Sequence, residues 1–204
     1  MGLRERKKAH TRETIKVTAL RLFVEAGFDQ VSMTDVAAAS DVSRRTLFTY
    51  FPTKEDLVLQ QFADHEDEAA RTVRARRPDQ TPLRALREAL LDSLGRRDEN
   101  TGLNDDPRSL AFYRLIGSTE SLAAGLTRYT ARGIDALAEA LRETGLDPLT
   151  ARLAAAQVVV VQRELAHANH VCLIGGESAA DRYPEAVRAV HHAFDLLRDG
   201  LRSG

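Results

Sequence analysis

The sequence predicts an all-α protein of about nine helices, and three observations predict it. Alanine, leucine and arginine dominate the 204 residues, and these are strong helix formers. Alternating β-branched runs of the kind that build strands are nearly absent. All six prolines lie where a helix begins or a connection runs, and Thr81-Pro82, Asp106-Pro107 and Asp147-Pro148 put a capping side chain directly before proline. An apolar fraction of 43% with 29% charged residues suits a globular chain rather than a disordered one.

Taken in order, Ile15, Ala19, Leu22, Phe23 and Ala26 repeat at helical spacing, and Gly27 closes that first helix. Ser32 caps a second, with Asp35 three residues on as a weak capping box and Val36 and Ala37 facing inward. Ser43 caps a third from Arg44 to about Tyr50. Thr53, with Asp56 three positions later, caps a fourth that is read as continuous from Lys54 to about Arg77, roughly 36 Å long. Further helices are expected at Pro82 to about Arg97, Pro107 to Gly117, about Thr119 to Thr144, Pro148 to about Ile174, and about Pro184 to Arg202. Residues 1–10 and the loop around Asn100 to Asp105 read as disordered.

Composition also narrows the function classes. Cys172 is the single cysteine, so no internal disulfide forms; it reads as a small buried hydrophobe in a reducing compartment. No signal peptide or membrane span is indicated, since the apolar run Ala154 to Val161 is short and broken by Gln157. A cytoplasmic chain is expected. Net charge is −1, yet residues 1–54 carry ten Lys and Arg against six Asp and Glu. A basic N-terminal third on an otherwise acidic chain points that third at a polyanion.

The stretch SDVSRRTLFTYFPTKEDL sharpens this. Two short helices joined by Asp41-Val42-Ser43, the second opening on Arg44 and Arg45, form the arrangement that enters a DNA major groove. Arginine there donates a bidentate pair to guanine or clasps a phosphate. Leu47 and Phe51, four apart, anchor the helix, with Phe48 packing nearby; Arg44, Arg45, Thr46, Thr49 and Tyr50 are left outward. Pro52 ends the helix so that a new N-terminus forms at Lys54, a second phosphate site, and Thr34 is a third. The basic cluster Arg4, Arg6, Lys7 and Lys8 is either a solubilising tail or an arm into the minor groove.

The segment VSMTDVAAASDVSRRTLFTYFPTKEDLVLQQF resembles the DNA-binding region of the TetR family of transcriptional regulators from about Thr11 to Phe62. The resemblance implies a homodimer, a helical ligand domain of variable sequence, and repression relieved when a small molecule binds. Two departures are visible: Asp41 stands where the family has glycine in the turn, and Arg45 and Thr49 replace a small residue and His or Asn. Residues 1–53 are then the DNA-binding domain, with 1–10 a flexible basic arm, and 54–204 the effector and dimerisation domain, with 54–77 the connecting helix.

Beyond residue 78 no catalytic constellation, glycine-rich phosphate loop or cofactor motif stands out, so recognition rather than turnover is expected. Phe62, Phe112, Ile116 and Tyr129 are candidates for the apolar lining of a ligand pocket, and Arg163 and His167 for its polar end. The preferred reading instead puts Arg163 and Glu164 at a dimer interface and leaves the histidines solvent-facing or hydrogen-bonded. Val190, Phe194, Leu197 and Leu201 give the last helix a stripe suited, as the resemblance implies, to a four-helix subunit interface. Glu164, His167 and His170, one turn apart, admit a metal-responsive regulator or helical metal enzyme as the alternative, although no second Glu-x-x-His is present. The stretches DPRSLAFYRLIGSTESL and LTRYTARGIDALAEALRE resemble, more faintly, effector domains of TetR members tied to acyl-coenzyme A or mycofactocin systems. A fatty acyl thioester or a hydrophobic drug-like molecule is the expected ligand class, and double-stranded DNA the expected macromolecular partner.

Overall fold

The computed structural model describes residues 2–200, and among them the chain is helical, with ten α-helices, one short 3-10 turn and no strand. The helices are α1 (Leu3–Ala26), α2 (Met33–Ala39), α3 (Arg44–Tyr50), α4 (Lys54–His65), α5 (Glu68–Ala75), α6 (Pro82–Arg96), α7 (Pro107–Ser118), α8 (Glu120–Arg142), α9 (Pro148–Ile174) and α10 (Ala179–Asp199), with the 3-10 turn at Glu99–Thr101. Among the described residues no helix is long and apolar enough to cross a membrane.

The chain divides into two compact units. The first comprises residues 1–63 and 111–126, the second 64–110 and 127–204. The division therefore falls within α4 and α8 and near the start of α7. Buried residues of the first unit include Ile15, Phe23, Val36, Leu47, Phe51, Leu59 and Leu122. In the second, α10 packs on α6 and α9, and α5 on α6, around Val73, Leu86, Leu94, Leu137, Ala155, Val190 and Phe194.

The proline-led starts behave as expected. The Thr81 hydroxyl accepts from Arg84 N at 3.3 Å, Asp106 Oδ1 from Arg108 N at 2.8 Å, and Asp147 Oδ1 from Leu149 N and Thr150 N, both at 3.1 Å. Each satisfies amides that no helical carbonyl reaches.

Four expectations are overturned. The connecting helix is not continuous to Arg77: α4 ends at His65 and α5 starts at Glu68. At the break the Glu66 carbonyl is turned toward Gly133 of α8, where an added Cβ would lie 3.2 Å from it. Glu68 anchors the new helix start, hydrogen-bonded to the His65 ring at 3.2 Å and to the Asn100 amide at 2.8 Å. The second correction concerns α10, which begins at Ala179 and carries Pro184 inside it. Ser178 caps it by accepting from Asp181 N at 3.1 Å, so nucleation precedes the proline and only one early-turn bond is lost.

The loop at Asn100 to Asp105 is a tied structure, not a disordered one. Leu103 is fully buried, and Gly102, at φ +70°, lies so close to the Ala166 carbonyl of α9 that any side chain would strike it. Asn169, itself buried, donates from Nδ2 to Thr101 O at 3.0 Å and accepts from Arg182 Nε at 3.3 Å. Asp105 accepts from Ala179 N at 2.8 Å. Finally, α1 begins at Leu3, with Gly2 N donating to Glu5 Oε2 at 3.0 Å. Arg4, Arg6, Lys7 and Lys8 therefore stand exposed on a helix rather than on a flexible arm.

Candidate nucleic-acid interface

The geometry of the two short helices follows from their caps. Ser32 N donates to Asp35 Oδ2 at 2.8 Å while Asp35 N donates to Ser32 Oγ at 3.2 Å, the reciprocal box that starts α2. The Ser32 hydroxyl, which also donates to Asp35 Oδ2 at 2.7 Å, and after it the Ser32 N–H hold the Asp35 carboxyl below its ordinary pKa. The turn is made by Asp41 at φ 53°, the left-handed conformation that asparagine and aspartate adopt more readily than other side-chain-bearing residues. Val42 N then reaches back to Ala37 O at 3.1 Å. Ser43 Oγ accepts from Thr46 N at 3.0 Å and starts α3.

That phasing decides which side chains of α3 point in. Leu47 and Phe51 are fully buried, and Arg44 and Arg45 are exposed in the first turn. Thr34 is exposed in the first turn of α2. Thr49 is exposed and Thr46 and Tyr50 are half-buried. Both threonine hydroxyls are already engaged: Thr46 Oγ1 lies 2.7 Å from Ser43 Oγ, and Thr49 Oγ1 donates to Arg45 O at 2.9 Å. Of the two, Thr49 offers mainly its methyl, the group that meets a thymine methyl in direct readout. Phe48 corrects one expectation, since it is 39% exposed and lies beneath the Arg44 guanidinium, 5.5 Å from its ring centre, rather than in the core.

Lys54 opens α4, where Thr53 and Asp56 exchange backbone-to-side-chain hydrogen bonds, each 3.1 Å long. Its ammonium stands 4.3 Å from the Phe28 ring centre and 5.9 Å from that of Phe23. Sequence reasoning placed Phe23 in the stripe of the first helix but missed its contact with Lys54, and missed Phe28 altogether; the available signal was Phe28 directly after the helix-closing Gly27. It missed as well that Arg12 of α1 stands 6.0 Å from the Phe51 ring centre. Phe23 and Phe28 also line an open cleft of about 520 Å³ in the first unit, together with Val24, Arg114 and Leu115.

The ligand-pocket candidates separate. Phe62 and Phe112 stack at 5.9 Å, and Phe112 and Ile116 are buried in the first unit. Tyr129, also buried, belongs to the second and is flanked by the guanidinium groups of Arg128 and Arg132 at 5.7 and 5.6 Å. Arg163 and His167 are exposed. Helix α9 instead turns Asn169, His170 and Leu173 inward.

The same phase separates the metal candidates. Glu164 and His167 face out while His170 is buried, and no group of three or more metal-ligating side chains is assembled among the described residues. Desolvation, with a smaller contribution from the charge of His167, lowers the His170 pKa to about 4. Val190 and Phe194 are 1% and 2% exposed within their own chain, and Leu197 packs on the same core. The stripe assigned to a subunit interface is thus an internal one, and Leu201 lies outside the described residues. Cys172 is half-buried.

Comparison with known proteins agrees with this geometry. Residues 15–60 match the family described as bacterial regulatory proteins, tetR family. The HTH-type transcriptional regulator TcmR of Streptomyces glaucescens is 31% identical over 128 residues, 62% of this chain and 57% of that protein. The putative mycofactocin biosynthesis transcriptional regulator MftR of Mycobacterium tuberculosis is 37% identical over 60 residues, 29% of this chain and 30% of its own. The chain thus spans little more than half the length of TcmR and less than a third of MftR. A putative TetR-family transcriptional regulator from Syntrophomonas wolfei shares the fold at 17% identity, with a TM-score of 0.66 over 96% of this chain and 98% of that one.

Proposed function

We propose that this chain, whose residues 15–60 match the tetR family of regulatory proteins, is a transcriptional regulator of that family that binds a palindromic DNA operator as a homodimer and is released from it by a small hydrophobic ligand. The observation that carries this is the pair Arg44 and Arg45, exposed in the first turn of a helix that two buried anchors and a capped turn hold in phase. Residues 1–53 supply DNA contact and 54–204 effector binding and dimerisation. Each α3 enters one major groove, Arg45 reading bases and Arg44, Thr34, Tyr50 and Lys54 positioning the backbone. Half-site centres then lie about 34 Å, or a multiple, apart. Binding rather than turnover is its chemistry, in the cytoplasm where its DNA is.

The exposed face of α9 supports a dimer. Leu149, Leu153, Val160, Val171 and Ile174 are 37 to 67% exposed, and at helical spacing they share one face with Arg163, Glu164 and His167. That face, not the Val190 stripe, is the interface we assign. The stacked pair Phe62 and Phe112 supports an apolar, acyl- or drug-like effector, whose binding lowers DNA affinity only by its preference for one of two conformations.

Selection of random duplexes on the purified protein tests the reading. A palindrome bound with a steep salt slope is the expected result; absence of any enriched sequence, with and without candidate ligands, overturns it. Leu153→Glu should shift the protein toward monomer in sedimentation, and an unchanged dimer would move the interface elsewhere.

A further inference from the structure

The aromatic pair beneath Lys54 lies in the core of the first unit, and two separately built elements, the end of α1 and the start of α4, converge on it. Gly27, at φ 90° with its N–H on Phe23 O at 3.0 Å, ends α1 and brings Phe28 back onto Phe23, ring centres 5.0 Å apart. Phe23 and Phe28 are 1% and 5% exposed, so neither ring is free to turn away. The Thr53 and Asp56 exchange sets the first turn of α4 and delivers the half-buried Lys54 above them, with its ammonium 4.3 Å from the Phe28 ring centre.

A lysine side chain has four rotatable bonds and loses rotamer entropy when it is immobilised. A cation over an aromatic face gives up part of that freedom before any ligand arrives, and its remaining donors stay directed away from the ring. Prior ordering of this kind raises affinity by reducing what binding must still order.

We infer that Phe28, backed by Phe23, is a positioning residue for DNA binding, which holds the Lys54 ammonium ready for a backbone phosphate. The inference rests on the DNA-binding reading above. It makes the end of α1 part of the interface although Phe28 itself is buried beneath Lys54.

The test combines two readouts on the full chain: the ring-current shift of the Lys54 ε-methylene protons, and the salt dependence of affinity for the selected duplex. In the parent the ε protons should lie upfield. Phe28→Leu should abolish that shift, weaken binding about fivefold at low salt, and make the slope of log affinity against log salt shallower by about 0.9, one phosphate's share. Phe28→Tyr, which keeps the ring face, should restore both, and Phe28→Leu added to Lys54→Met should cost nothing more than Lys54→Met alone. A folded Phe28→Leu protein with the parental slope, or losses that add in the double variant, would overturn the inference while leaving the DNA-binding reading intact. A parent with no salt-dependent affinity overturns both. Should Phe28→Leu fail to fold, Lys54→Met decides: it must remove the same 0.9, and an unchanged slope refutes the role.

Discussion

Helices α3 and α9 make an instructive pair. The first has seven residues, of which Leu47 is buried; the second has 27 and passes four consecutive valines before reaching its polar cluster. In the short helix the outward residues other than Phe48 were placed by local chemistry, because Ser43, Asp41 and the Phe51-Pro52 end leave one phase open to it. In the long helix, nothing within the sequence sets the phase, and a 100° error per residue exchanges inside for outside. Arg163 and His167 therefore turned out exposed, and His170, three residues on, buried. Function in a short capped element is legible locally, whereas in a long packed one it depends on the neighbours.

The largest effect that would sharpen this contrast lies where α9 meets its neighbours. Gly102→Ala should destabilise the protein by about 3 kcal/mol or more, since the added carbon needs a left-handed conformation and strikes the Ala166 carbonyl. Chemical denaturation measures it. A loss under about 0.5 kcal/mol would mean that the Asn169 and Arg182 clasp gives way easily and that α9 is not held in phase by it.

Next comes the short helix. Arg45→Ala should cut the preference for the selected operator over random duplex by about 10- to 100-fold, with thermal stability unchanged because the side chain is exposed. Competition binding reads the ratio. An equal loss on all sequences would make Arg45 a phosphate contact and return base reading to Thr49 and its neighbours.

The caps at Thr81, Asp106 and Asp147, the Asp41 turn and the Leu47 and Phe51 anchors were legible because each involves residues within a few positions of one another. What was hidden is long-range. The α4 break reflects Gly133 some 67 positions downstream of Glu66, the ordering of Leu103 reflects Asn169 and Ala166, and the Val190 stripe closed on α6 rather than on a second subunit. Pro184 misled for a different reason: a proline marks a helix start only when no better cap precedes it, and Ser178 with Asp181 does.

A pH titration probes α9 from a third direction. The buried His170 has its pKa lowered from 6.5 to about 4, so the unfolded chain takes up a proton that the folded one refuses. Stability should fall as pH drops from about 6.5 to 4, by on the order of 2 kcal/mol, and level off below. His170→Gln should flatten that limb of the curve. A limb unchanged in the variant would assign the acid sensitivity to carboxylates instead, whose stabilising bonds are lost over a lower pH range.

The smallest effect tests how far the turn dictates α3. Asp41 holds φ at 53°, a conformation in which a β-carbon costs roughly 1 kcal/mol and glycine costs nothing. Glycine also adds freedom to the unfolded chain, which offsets part of the gain. Asp41→Gly should therefore stabilise by only a few tenths of a kcal/mol and leave operator preference untouched, while Asp41→Val should lose about 1–2 kcal/mol, because a branched side chain crowds the left-handed backbone. If Asp41→Gly instead altered operator preference at constant stability, the aspartate side chain would be helping to orient Arg44 and Arg45, and the reading of α3 from its caps alone would be incomplete. The two substitutions together separate a turn that merely permits the helix from one that aims it.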